Sequence, residues 1–258
     1  MLKNYSRRAY TLIELLTVMS IIAILSAIFA PVVKSSFGAA YQFSAGQSLC
    51  QMGKALQTYA ADFDDTYPIA MVSTPEGGTQ TWFGYQDEKG KIDATRGSMN
   101  PYLGKKRPSD PTASNYKDFF GDHSGFGYNW QTLGSDFSET KDFSRFPDCS
   151  NAATSSQLQN PSRTVAFATS VYVKAPWIAK GSGEAYDFGF VSPPAHWAGN
   201  PNMDFRHMGE RVIDSTTKTV TYSGNALVLW ADGSMKPMKQ RQIRDEMFER
   251  GKPPEQSQ

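Results

Sequence analysis

One carboxylate in this chain sits where a carboxylate is costly. Glu14 stands at the head of a run, Leu15 to Val33, that contains no charged residue. At about 1.5 Å of rise per residue that run spans ~28 Å as a helix, close to the ~30 Å hydrocarbon core of a bilayer. An ionisable side chain at such a place costs roughly a few kcal/mol, and so marks a function. The chemistry it calls for is pairing with an ammonium. Upstream lie Arg7 and Arg8, then Ala9-Tyr10-Thr11-Leu12-Ile13.

Other residues with chemical potential are fewer. His207 and the Asp232-Gly233 pair lie in the C-terminal third, separated by 24 residues. An Asp-Gly step between apolar runs is explained by a turn alone, since glycine tolerates positive φ and aspartate bonds its own backbone. Contact between His207 and Asp232 would make a structural hydrogen bond rather than a metal site, because no further ligands of suitable spacing stand nearby. Asp62, Asp64 and Asp65 read as the capped end of a helix and a solvated turn; they lack the glycine and distal glutamate of a calcium loop. His123 and His196 sit in Pro/Gly/Ser loops without a pattern. Cys50 and Cys149 would share a compartment that permits disulfides, and the sequence leaves open one bridge or two separate thiols. There is no Gly-x-Ser-x-Gly elbow, phosphate loop, His-Glu-x-x-His or Cys-x-x-Cys, and neither cofactor nor metal is expected.

The elements that position these residues are set by patterning. The 258 residues suffice for one ordinary core beyond an anchor. Net charge is +1, and becomes −2 without Lys3, Arg7 and Arg8, which gives no argument for nucleic acid as a partner. Positive charge before the apolar run keeps residues 1–9 cytoplasmic and sends the chain beyond Val33 outside. An ordinary signal anchor or a removed signal peptide is the plainer alternative, but the run is longer than a signal peptide's and a signal peptide has no use for Glu14. Past Gly38 the pattern becomes amphipathic: Leu49, Met52, Leu56, Tyr59 and Phe63 form one helical stripe of the kind that packs on a sheet. Pro31 bends the helix rather than stopping it, and the end falls near Asp62–Pro68. Residues 1–9 are thus a leader, 10–33 a transmembrane or assembly helix, 34–64 its amphipathic continuation, 65–250 a β-rich head and 251–258 a flexible tail.

Within the head, Gly and Pro at high density predict short strands and turns. Trp82-Phe83-Gly84-Tyr85 and Phe126-Gly127-Tyr128-Asn129-Trp130 read as the core of a small sheet more readily than as sugar-stacking platforms. Val165, Phe167 and Val171 share one parity of a strand from Arg163 to Val173. A strand over Tyr186–Val191, a Thr/Val-rich hairpin over roughly Glu210–Ser223, a strand over Asn225–Trp230 with its return strand, and a short helix over Gln240–Arg250 complete the pattern.

The segment Ala9-Tyr10-Thr11-Leu12-Ile13-Glu14-Leu15-Leu16 resembles the processing site of type IV prepilins and type II secretion pseudopilins. The resemblance implies cleavage by a prepilin peptidase between Ala9 and Tyr10, where the family usually has Gly before the cut, and methylation of the new N-terminus. It implies that Glu14 pairs with a neighbour's Tyr10 amine during filament assembly. Cys50 to Pro68, Gly125-Phe126-Gly127-Tyr128-Asn129 and the His207…Asp232-Gly233 pair are similar to blocks of a large family of exported pilin-like proteins, whose C-terminal motif has a shorter His-to-Asp spacer. That family often has a Cys-Pro-Ser step where this chain has Arg107-Pro108-Ser109. The implied fold is α+β, a long N-terminal helix on an antiparallel sheet with a loop-rich head. The implied partners are prepilin peptidase, further pilin-like subunits and inner-membrane lipid; from the missing catalytic motifs no enzymatic activity is expected. The alternative from a different class is a membrane-tethered binding module whose head takes polysaccharide or another surface ligand without polymerising.

Overall fold

The computed structural model describes residues 10–104, 107–118, 124–142, 144, 151–174, 183–197 and 202–251. They fall into two compact units, Met1–Ala40 and Tyr41–Gln258. A single helix, α1 (Leu12–Asp62), runs through Pro31 without interruption. In the first unit every described residue from Tyr10 to Phe37 is exposed. Bare apolar surface of that extent is tolerated in lipid or against other protein, not in water. The helix is long and apolar enough to cross a membrane.

In the second unit α1 buries one face. Leu49, Met52, Leu56 and Tyr59 are buried as the stripe predicts, joined by Ala45, Gly46, Gly53, Ala55 and Ala60. The small residues allow close approach: a Cβ at Gly53 would stand 3.0 Å from Leu229 Cδ1, and one at Gly46 3.0 Å from Met235 Cε. Phe63 departs from the expected stripe. It lies one position beyond the end of α1, half exposed, stacked on Tyr59 at 4.3 Å. Asp64 and Asp65 then turn the chain in left-handed conformations, and the Asp65 N–H donates to the Ala60 carbonyl at 2.8 Å, which caps the helix C-terminus.

The strands are short, as the glycine and proline content predicts. β1 (Met71–Ser73), β2 (Gly78–Thr81), β3 (Tyr85–Asp87) and β4 (Ile92–Asp93) form an antiparallel meander. After them come β5 (Lys117–Asp118), β6 (Phe126–Asn129), β7 (Val165–Thr169), β8 (Tyr172–Val173), β9 (Ala185–Asp187) and β10 (Phe190–Val191). Two hairpins complete the chain, β11 (Arg211–Asp214) with β12 (Thr219–Tyr222), and β13 (Ala226–Trp230) with β14 (Met235–Met238). The principal sheet has the order β10-β6-β7-β13-β14; its pairs are antiparallel except β10 with β6. A three-stranded sheet joins β5, β9 and β8. The expected strand over Tyr186–Val191 is therefore two strands serving different sheets.

Both faces of the principal sheet are covered. The cluster that includes α1 contains Trp82, Phe83, Tyr128, Phe167 and Leu229; the other contains Val165, Phe205, Val228, Trp230, Ile243 and Phe248. β13 alternates cleanly between the two. β7 does not: its pairing with β13 shifts register at Leu229/Trp230, and the bulge places Val165 and Phe167 in different clusters. The expectation of a shared parity fails because a bulge inserts one residue and breaks the period of two. The C-terminal segment also differs from expectation. Instead of one α-helix over Gln240–Arg250 there are two 3₁₀ turns, Gln240–Gln242 and Asp245–Phe248, with extended Arg244 between them. Ile243 and Phe248 both bury against the same cluster. On an α-helix, positions five apart would point about 140° from one another. Buried Arg250 then clamps the segment, donating to the carbonyls of Thr132, Ser135 and Asn151 at 2.7–2.9 Å.

Candidate functional site

At the start of α1, Glu14 is bound within its own chain. Thr11 N–H and Thr11 Oγ1 both donate to Glu14 Oε2 at 2.8 Å, and Glu14 N–H returns a bond to Thr11 Oγ1 at 3.3 Å. This is a capping box, in which a Thr at the N-cap and a Glu three residues on satisfy each other's orphan groups. Water is scarce at membrane depth, so helix-end groups left open there would be expensive. Tyr10 is fully in the open beside it, 88% exposed, and Ala9 lies outside the described residues. Reading Glu14 only as a partner for an amine missed Thr11. The Thr11-x-x-Glu14 spacing just before an apolar run is the signal that finds it.

The sequence leaves contact between the members of the C-terminal pair open. His207 and Asp232 are not partners. His207 is 2% exposed and its Nε2 lies 3.0 Å from Asp110 Oδ2. Its backbone pairs with Asn225 in both directions, so residues 208–224 leave and return at one point and the inserted hairpin closes on itself. From Asn225 the strand β13 then carries the chain away, and its five residues cover roughly 16 Å. Asp232 sits at that far end, where its carboxylate accepts from Ser234 N–H at 2.8 Å and Ser234 Oγ at 2.7 Å, with Gly233 at φ +85°. The turn docks on α1: Gln57 Nε2 donates to the Ala231 carbonyl at 2.8 Å. Tyr67 is held below it, its hydroxyl pushed up to about 12 by burial and by the charges of Asp65 and Asp232.

His207 belongs instead to a buried ionic network. Arg206 Nη2 lies 2.8 Å from Asp110 Oδ2 and Nη1 lies 2.9 Å from Asp204 Oδ2, all with almost fully buried side chains. The guanidinium also donates to the carbonyls of Gly125 and Ser170, and Tyr116 donates its hydroxyl to Asp204 at 2.5 Å. Burial by itself would raise the Asp110 carboxyl. The Arg206 charge and the hydrogen bonds from His207 and Thr112 outweigh it and hold Asp110 well below the usual carboxylate range. For Arg206 burial opposes the charge, yet Asp110 and Asp204 raise it further. Burial and the Asp204 charge push the Tyr116 hydroxyl well up. A network of this kind stitches a loop, two strand ends and the His207 segment together. It presents no free nucleophile beside a base.

The remaining candidates are quickly placed. Cys50 is a half-buried free thiol on α1, and Cys149 lies outside the described residues, as does His123. His196 stands edge-on to Trp130 at 6.1 Å, with its Nδ1 2.9 Å from Gln131 Nε2. Arg107, standing in place of the similar family's cysteine, donates to the carbonyls of Phe83 and, at 3.0 Å, of Ala94. The aromatic segments are core: Trp82, Phe83, Phe126 and Tyr128 are all buried, with Trp82 and Phe167 edge to face at 5.1 Å. Among the described residues no group of His, Cys, Asp and Glu is arranged to hold a metal ion.

Residues 4–30 match the family described as the prokaryotic N-terminal methylation motif. No curated protein and no solved structure matches the chain. The match covers the arginine pair, Tyr10, the capping box and most of the apolar run, and it leaves the head and its His207…Asp232-Gly233 pair unaddressed. A methylation motif thus opens a long apolar helix whose outer half packs on antiparallel sheets, an α+β, pilin-like architecture.

Proposed function

We propose that this protein is a structural subunit of a type IV pilus-like or type II secretion pseudopilus filament, and not an enzyme. Prepilin peptidase removes residues 1–9, the Tyr10 amine is methylated, and the subunit waits in the inner membrane with its head outside. The apolar helices then bundle, and Glu14 of one subunit meets the Tyr10 ammonium of the next. The observation that carries this reading is Glu14 itself: a lone carboxylate at the head of a charge-free span, inside a matched methylation motif. An ion pair desolvated in the bundle is favourable only when each charge finds its partner, which makes assembly selective for processed subunits. A tethered sugar-binding head would call for surface aromatics, whereas the Trp82 and Tyr128 segments are interior.

Two measurements test the reading. Intact mass of the protein from its native host should show a chain starting at Tyr10 with one added methyl; a chain starting at Met1 overturns processing. Glu14→Ala should remain in the membrane fraction yet vanish from filaments sheared off the cells. Normal filaments from that variant would refute the pairing.

A further inference from the structure

We infer that the basic edge of the principal sheet, from Lys236 to Arg244, is a docking surface for anionic phospholipid headgroups; this rests on the reading of α1 as a membrane span and not on filament formation. Between Met235 and Arg244 the chain carries Lys236, Lys239, Arg241 and Arg244 and no carboxylate. Lys236, Arg241 and Arg244 are exposed and Lys239 is half-buried. None of the four stands in an ion pair among the described residues. Their place in the second unit follows from the contacts of α1. Gln57 holds the Ala231 carbonyl at the far end of β13, Gly53 faces Leu229 of β13, and Gly46 faces Met235 of β14. Going back along the helix from Gln57 to Gly46, about 16 Å, therefore crosses from β13 to β14, the last strand of the sheet. Beyond that edge the same unit leaves Tyr41 and Phe43 of α1 bare, 48% and 70% exposed. Aromatic side chains of this kind favour the membrane–water interface, so cations and aromatics converge on the side of the unit where its helix begins. Lys236 and Pro237 are also what an edge strand uses to refuse another strand. A protein partner adding a strand is thus badly served, whereas a fluid anionic surface needs only charge, and Lys239, Arg241 and Arg244 extend that charge past the strand.

Lysine footprinting of the full chain in lipid nanodiscs tests this. Discs of phosphatidylcholine alone are compared with discs in which about one third of the lipid is phosphatidylglycerol, and acetylation by an amine-reactive ester is read by mass spectrometry. Lys236 should react about fivefold more slowly in the anionic discs, the weight of one basic residue at such a surface. Salt at about 0.5 M should abolish the difference by screening. Exposed Lys89 serves as the reference and should react alike in both. Arg241→Glu reverses a charge on an exposed side chain and should remove most of the protection at Lys236. Equal slowing of Lys89, or full protection of Lys236 in the Arg241→Glu chain, overturns the inference. So does protection that follows the number of chains per disc instead of the phosphatidylglycerol content, which would assign the surface to a neighbouring subunit. A chain that enters the discs with Lys236 equally reactive in both removes the inference alone. A chain that elutes apart from the discs removes the membrane-span reading and the inference together.

Discussion

At the scale of single residues, the head is held by Arg206 more than by either member of the His207…Asp232 pair. Arg206 answers two buried carboxylates, and His207 adds a hydrogen bond to one of them. Replacing a whole buried network with apolar residues can be neutral, but removing one partner strands the others. Asp110→Ala should therefore destabilise the head by about 3–5 kcal/mol, read as a shift in the urea midpoint of the detergent-solubilised chain. The pH dependence has a definite sign. Asp110's folded pKa lies below its unfolded value, so the stability it contributes is complete above ~4 and drains away as pH falls toward the folded value. The melting temperature should decline below about pH 4, and Asp110→Asn should flatten that decline. His207 attracts attention as a rare residue, yet nothing local in the sequence names Asp110 as its partner. Asp204 and Arg206 are more legible, because alternation over Asp204-Phe205-Arg206-His207 sets the two charges on one side.

Elements join through small residues. α1 meets β13 where Gly53 faces Leu229, with a virtual Cβ only 3.0 Å from the leucine methyl. A large side chain there has no room. Gly53→Leu should cost about 1–3 kcal/mol of stability by overpacking. Leu229→Ala, expensive in the wild-type chain as a cavity, should cost less in the Gly53→Leu background, because the two sites share one volume. Equal costs in the two backgrounds would show that the helix and strand do not depend on this contact. The stripe Leu49-Met52-Leu56-Tyr59 is readable from spacing alone, since a helix face repeats every 3.6 residues whatever it packs on. The bulge in β7 is not readable, because it exists only relative to the partner strand. The C-terminal turns escape for a similar reason: Ile243 and Phe248 are placed by the cluster they fill, not by a helical period.

At the scale of the whole molecule, the chain divides its solvents. Residues to Ala40 form a unit with no core of its own among the described residues, while Tyr41 onward contains both hydrophobic clusters. A chain beginning at Tyr41 should therefore remain in aqueous solution without detergent and unfold in one cooperative melt by circular dichroism; a non-cooperative melt would mean that the first unit is needed to complete the fold. The sequence by itself determined the apolar span, the lone Glu14, the methylation motif, the helix to Asp62, the two C-terminal hairpins and the aromatic core. Each of these is written in neighbouring residues or in a short period, and local backbone preferences act at that range. Only the tertiary structure decided that His207 answers Asp110, 97 positions away, rather than Asp232, and that the strands lie in the order β10-β6-β7-β13-β14. Strand order and buried ion partners depend on which distant surfaces exclude water together, and no local spacing encodes that choice.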